Sequence, residues 1–261
     1  MLGASTILLL SACTGVFSGL YDEPEEVPTH SFEGSTPEDG SVSTVEGSLY
    51  IDASDWHNWY YIDLKALVAD STRAQAVAST QQPYPIPTAL TGSSDGQTGM
   101  YTYWYDVWGA GISVNERRDF SPTDRQQAPA EWTLAVHRDN VRTNGGAACE
   151  TTSTDIAQFK PSREELDSYA YVADAWTENA VWADQSQMLN CLIGSQGIAI
   201  NPVLSAWLQL VIPPVPPTFT HNKHVYVLRL ADGSYAALQL TNYVSTSGTK
   251  CCLTIKYKYP I

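Results

Sequence analysis

The clearest pattern in the chain lies near its C-terminal end. From Cys252 to Tyr259 the residues alternate, with Leu253, Ile255, Tyr257 and Tyr259 on one side and Thr254, Lys256 and Lys258 on the other. A period of two is that of a pleated strand with one buried face, and it sends the two lysines toward water. Upstream, Val225-Tyr226-Val227-Leu228-Arg229-Leu230 and the run Tyr235 to Leu240 flank Ala231-Asp232-Gly233-Ser234. Asp-Gly between two β-prone runs signals a hairpin, because the turn needs positive φ. A three-stranded antiparallel meander is therefore predicted to close the chain.

Similar runs predict strands at Ser48 to Ile51, Trp59 to Leu64, Tyr101 to Val107 and Trp132 to Val141. In the last of these, Trp132, Leu134 and Val136 share one face, while Thr133, Ala135 and His137 share the other. Two segments have helical character. Ser162 to Tyr169 opens on Ser-Arg-Glu-Glu, the spacing of a capping box, and Pro202 to Leu210 is the second. The Pro-rich stretches Tyr84 to Thr88 and Ile212 to Phe219 read as long loops, where functional groups tend to gather. The fold class expected is all-β, mostly antiparallel, with long loops and one or two short helices.

Composition sharpens this picture. There are 15 Tyr and 8 Trp against only 5 Phe, and rings with a polar edge suit half-wet sheet faces. A hydrophobic share of 43% supplies a packed core. With 28 acidic and 14 basic residues the net charge is -14. That excludes a nucleic-acid or anionic-membrane binder working through a basic face.

The front of the chain differs from the rest. Ile7-Leu8-Leu9-Leu10 is too short to span a bilayer and reads as the core of a secretion signal. Leu10-Ser11-Ala12-Cys13 resembles a bacterial lipobox, which makes Cys13 the expected lipidation site. No Lys or Arg precedes Lys65, so the usual basic start is missing and the expected translation start lies upstream. From residue 14 to 45, acidic residues sit among Pro, Ser, Thr and Gly with few large apolar ones, the composition of a flexible tether. The expected organisation is a signal and lipobox over 1–13, an acidic tether over 14–45 and one β domain over 46–261.

Four cysteines remain: Cys149, Cys191, Cys251 and Cys252. An exported chain permits disulfides, and a Cys149–Cys191 bridge is one option beside small buried thiols. No Cys-x-x-Cys spacing supports a zinc site. The chain also lacks a Gly-x-Ser-x-Gly elbow, a His-Glu-x-x-His helix, a Walker loop and a Rossmann glycine pattern, so no enzyme is expected. His221 and His224 are three apart, but Asn222-Lys223 between them suggests a turn rather than a metal site. His137 reads as a structural residue.

One block stands out: Glu131-Trp132-Thr133-Leu134-Ala135-Val136-His137-Arg138-Asp139-Asn140-Val141-Arg142-Thr143-Asn144-Gly145-Gly146. It resembles the signature of the HmuY family, in which a Trp-Asp-Ile-Ala-Phe-His-Arg strand leads into a Thr-Asn-Gly loop. Trp56 to Leu64, Asn201 to Trp207, Pro216 to Thr220 and the closing meander with Asp232-Gly233 are similar to the family in the same order. The resemblance implies a haem-binding outer-membrane lipoprotein, lipid-anchored and surface-exposed or released. Such a protein takes haem from its surroundings, host haemoproteins included, and passes it to a TonB-dependent receptor. Its membrane contact would be the lipid anchor alone.

In relatives of the methionine type, two thioethers hold the haem iron. Met188, in Gln185-Ser186-Gln187-Met188-Leu189, stands where the first ligand is placed. A thioether is a soft donor suited to haem iron. The second position corresponds to Val215, which has no donor atom; His221 is the nearest substitute. Trp176, Trp182, Leu189, Ile212 and Phe219 are the expected apolar surroundings of the porphyrin. The departure at Val215 opens an alternative: the fold persists on a surface lipoprotein that has lost its iron ligands and binds a glycan, another tetrapyrrole or a protein partner.

Overall fold

The closing meander forms as the alternation predicts, and it organises the molecule. In the computed structural model the described residues are 45–69, 82–85, 91–92, 100–105, 117–118, 120–121, 127–185, 192–211, 218–245 and 247–261. The strands begin with Val45–Asp52 (β1), Asn58–Ile62 (β2), Gln82–Pro85 (β3), Thr91–Gly92 (β4), Met100–Tyr105 (β5) and Arg117–Arg118 (β6). They continue with Phe120–Ser121 (β7), Leu134–His137 (β8), Asn140–Thr143 (β9), Ala147–Glu150 (β10), Val172–Ala173 (β11) and Ala175–Asp184 (β12). The last are Leu192–Ile200 (β13), Leu208–Val211 (β14), Thr218–His221 (β15), Val225–Arg229 (β16), Tyr235–Val244 (β17) and Lys250–Tyr259 (β18). Two helices, Leu64–Ala69 (α1) and Arg163–Ser168 (α2), and a 3-10 turn at Leu204–Trp207 complete the described elements. The fold is all-β and mostly antiparallel.

Six strands in the order β1-β18-β17-β16-β10-β11 make the largest sheet. The Asp232-Gly233 turn joins β16 to β17, with Gly233 at φ 81 and the Asp232 carboxylate accepting from the Ser234 amide. That geometry is the one for which glycine is suited. One face of this sheet carries Leu49, Ile51, Leu238, Leu240, Leu253, Ile255 and Tyr257 into the main core, all essentially sealed from water.

The opposite face is not the solvated one that the alternation suggested. Lys258 is only 3% exposed, and its Nζ donates to the Ala157 carbonyl at 3.0 Å. The segment 151–171 crosses this face, bringing Ile156 against Val225 and Ala237, and Leu166 against Val227 and Tyr235. Gln239 pins it by accepting from the Ile156 amide and donating to the Thr154 carbonyl. Within the segment, α2 starts on the predicted capping box, with both reciprocal bonds between Ser162 and Glu165 present. A strand pattern cannot announce a remote covering segment, so Lys256 alone of the two lysines is exposed.

A second sheet, β3-β2-β8-β9, lies between two cores. Ile62, Leu134 and Val136 face the main core, whereas Trp59, Tyr61 and Ala135 join Val181, Ala183, Ile198 and Ile200 in a smaller one. The third sheet, β12-β13-β5-β6, brings the latter four residues, and Trp59 Nε1 donates to Gln196 Oε1 at 2.8 Å across the seam. The remaining two sheets are the hairpin β14-β15 and the pair β4-β7.

Five predicted boundaries shift: of the stretches predicted as loops, Tyr84 and Pro85 belong to β3 and Thr218 and Phe219 to β15, and three others move as follows. The run Trp132 to Val141 is not one strand but two, β8 and β9, folded at Arg138-Asp139, with Arg138 at φ 54. The stretch Trp59 to Leu64 ends as a strand at Ile62, because Asp63 accepts from the Lys65 amide and Thr133 Oγ1 from the Leu64 amide, starting α1. Pro202 to Leu210 is helical only through the 3-10 turn; Leu208 onward pairs as a strand with β15.

Candidate functional site

A cleft of about 490 Å³ opens where the second sheet, the β12–β13 hairpin and the β14–β15 hairpin meet. That volume is in the range of small-molecule sites. Its floor is the β8–β9 turn, which contributes His137, Asp139 and Asn140. Trp56 and Trp182 line one part of the cleft, and Leu210 and Val211 at the end of β14 line another.

The aromatic wall is stacked. The rings of Trp56 and Trp182 lie 6.4 Å apart at 19°. The Arg138 guanidinium sits 3.6 Å from the centre of the Trp56 ring and donates to the Ser54 carbonyl at 2.6 Å. This guanidinium, fixed by its bond to Ser54, packs on the face of the indole and holds it in place. The β12–β13 pairing is broken by register shifts at Thr177/Val181 and at Trp182/Asp184. Such bulges re-aim side chains.

His137 is completely buried, and its Nε2 lies 2.8 Å from the Trp56 carbonyl oxygen. Because a carbonyl only accepts, Nε2 carries the proton of the neutral ring and Nδ1 keeps a lone pair, which has no hydrogen-bond partner among the described residues. Burial pushes the imidazole down to about 4, although the Trp56 bond pulls the other way. Asp139 accepts from the Leu210 amide at 3.1 Å and from Asn140 Nδ2 at 3.3 Å. Burial raises its carboxyl above the usual range, partly offset by the Leu210 amide.

The residues singled out in the sequence fall into four groups. Trp182 lines the cleft. Phe219 and His221 are on β15 and pack the other way: Phe219 stacks on Tyr243 at 5.8 Å, and His221 Nε2 lies 2.7 Å from the Leu240 carbonyl. His224 turns to Glu150 at 2.6 Å instead, so the two histidines do not share a centre. Trp176 is 39% exposed on β12. Met188, Leu189, Ile212, Val215 and Cys13 lie outside the described residues. Cys149, Cys251 and Cys252 are free thiols, and Cys191 lies outside the described residues. Among the described residues no group of three His, Cys, Asp or Glu side chains converges, and no helix is long and apolar enough to cross a membrane.

Sequence reasoning missed Trp56, Asp139, Leu210 and Val211. The Trp-rich run 56–61 and the Arg138-Asp139 dipeptide were visible, but nothing local said that a turn there would form the floor of a cleft.

Comparison with known proteins supplies the family. The model of the HmuY family, described as HmuY protein, matches residues 55–257. No curated protein matches the chain. Among solved structures, a Bacteroides fragilis protein assigned as a lipoprotein is 27% identical with a TM-score of 0.59, over 85% of this chain and 92% of that one. A Bacteroides vulgatus protein assigned as HmuY-like and haem-binding is 30% identical with a TM-score of 0.53, over 83% and 92%. The apo HmuY analog of Tannerella forsythia shares the fold, with a TM-score of 0.57 at 20% identity over 85% of this chain and all of that one. The block from Trp132 to Gly146, the closing meander and the matched span of 203 residues agree, and the chain belongs to the HmuY family.

Proposed function

We propose that this protein is a haem-binding surface lipoprotein that captures haem in the cleft between the Trp56–Trp182 wall and the β14–β15 hairpin. The observation that carries the reading is the position of two residues at or near the ends of β12 and β14. Trp182 and Val211 both line the cleft, and Met188 and Val215 follow them by six and four residues. At roughly 3.3 Å per extended residue, both positions are within reach of the same cavity. The lining suits the group: stacked indoles and the apolar side chains of Ile200, Leu210 and Val211 offer a flat, largely apolar slot. Met188 would hold the iron through its thioether, and the polar floor would keep a lone pair at His137 Nδ1. The bound haem supplies a chromophore and a redox-active iron. The chain itself supplies burial, orientation and exclusion of water, which is binding rather than catalysis. Lipidation at Cys13, surface exposure, uptake from host haemoproteins and hand-off to a TonB-dependent receptor belong to the same proposal. The expected domain limits, 1–13, 14–45 and 46–261, do too.

Val215 favours a second reading, in which the fold has lost its iron ligands and holds another ligand in the same cleft. A haem titration separates the two. Capture predicts a saturable Soret band at one haem per chain, with its position altered in Met188→Ala. The second reading predicts no saturable band in the natural chain and its appearance in Val215→Met.

A further inference from the structure

We propose that Asp139 is a positioning residue of the cleft, whose carboxylate latches the β14–β15 hairpin to the cleft floor through the Leu210 amide and so sets how long a ligand stays. The inference rests on the haem reading for the identity of the ligand, but the latch itself does not.

The hairpin is an arm rather than part of a sheet. Among the described residues β14 and β15 pair only with each other, Leu208 to His221 and Val211 to Thr218, and no other described strand continues their ladder. The β15 side is held to the body by the Phe219–Tyr243 stack and by His221 against the Leu240 carbonyl. Burial along β14 alternates, with Gln209 and Val211 exposed, and on its inward side it falls from Leu208 to Leu210. Leu208 is sealed in the core, Leu210 is half-buried and Val211 is 37% exposed. Segments with few buried apolar contacts open at low cost. At this end Asp139 Oδ2 accepts from the Leu210 amide at 3.1 Å, on the edge of β14 that does not face β15.

Asp139 is itself well placed for this. It sits in the tight β8–β9 turn, whose flanking strands are buried on both sides, and Asn140 Nδ2 steadies its other oxygen. Asp139, Leu210 and Val211 all line the cleft, so the bond closes the seam between floor and arm. A flat ligand held between the indole wall and the arm leaves when that seam opens. The latch therefore acts on dissociation more than on association.

The test has two parts. Haem-loaded protein is mixed with excess apomyoglobin and haem release is followed by absorbance. Separately, amide exchange at Leu210 and Val211 is measured in the ligand-free protein. Asp139→Ala is expected to release haem about ten-fold faster, equivalent to about 1.4 kcal/mol and in line with a hydrogen bond to a charged group. Uptake should stay within about three-fold, and the ligand-free melting temperature should move by only a few degrees. Asp139→Asn, whose amide oxygen still accepts, should recover most of the residence time. Amide exchange should quicken in Asp139→Ala and not in Asp139→Asn. If Asp139→Ala does not fold, Asp139→Ser, whose hydroxyl falls short of the Leu210 amide, takes its place. Unchanged release in the Ala or Ser variant, or equal release from Asn and Ala, overturns the proposal. If the natural chain takes up no haem the capture reading falls, and the exchange data alone decide the latch: unchanged exchange refutes it.

Discussion

The six-stranded sheet and the cleft are built from the same kinds of residue in opposite ways. In the sheet, β17 and β18 are long, regular and covered on both faces, by the main core on one side and segment 151–171 on the other. Around the cleft, short elements meet at their ends: a two-residue turn, a bulged strand, a 3-10 turn and a two-stranded arm. Regular pairing makes stability, because apolar area is removed from water along its full length. Irregular ends make a site, because side chains there are aimed by turns and by single hydrogen bonds. The two regions should therefore respond differently to substitution.

The largest effect belongs to the sheet. Ile255 is fully buried and faces Leu49 and Leu240 across β18. Ile255→Ala should cost about 2–5 kcal/mol by denaturant unfolding. It should leave the spectrum of any haem-loaded folded fraction as in the natural protein; an altered spectrum at unchanged stability would erase the contrast between the regions.

Next comes the floor of the cleft, where the signature is pH. His137 titrates near 4 when folded, below the value of about 6.5 in an unfolded chain. Protons thus bind the unfolded state more tightly, and the folded state loses stability as pH falls from about 6.5 to about 4, with no further loss from this group below that. The whole span corresponds to about 3 kcal/mol. His137→Gln, which keeps a donor for the Trp56 carbonyl, should flatten the unfolding free energy over that window relative to the natural protein. An identical pH profile in the variant would mean that the imidazole is not neutral and buried.

The smallest stability effect belongs to the aromatic wall. Trp56→Ala removes the Trp182 stack and the surface on which Arg138 rests. Its stability cost should be near 1 kcal/mol, the worth of a cation–π contact with a ring pair. Haem affinity should fall about ten-fold in the same variant. A large loss of stability with unchanged affinity would place Trp56 with the sheet rather than with the site.

The same division decides how much was legible in the sequence. Alternation and the Asp232-Gly233 turn located β16, β17 and β18, and Ser162 with Glu165 located α2, because these signals are local. Lys258 misled for a physical reason: its solvent is displaced by a segment about a hundred residues away in sequence. The turn at Arg138-Asp139 was hidden because both flanks are β-prone and buried, so the run from Trp132 to Val141 carries no polar break long enough to show it. Trp182 was recognisable through family resemblance. Trp56, Asp139 and Leu210 were not, since their role comes from meeting across 83, 71 and 154 positions of sequence, a property of the tertiary fold alone.

The most direct measurement is a stoichiometric haem titration of the natural protein, read at once by the Soret band and by quenching of tryptophan fluorescence. Capture in this cleft predicts that both signals saturate together at one haem per chain, and that the quenching amplitude drops in Trp182→Ala. A linear, unsaturated response, or saturation with the same quenching in that variant, would contradict it.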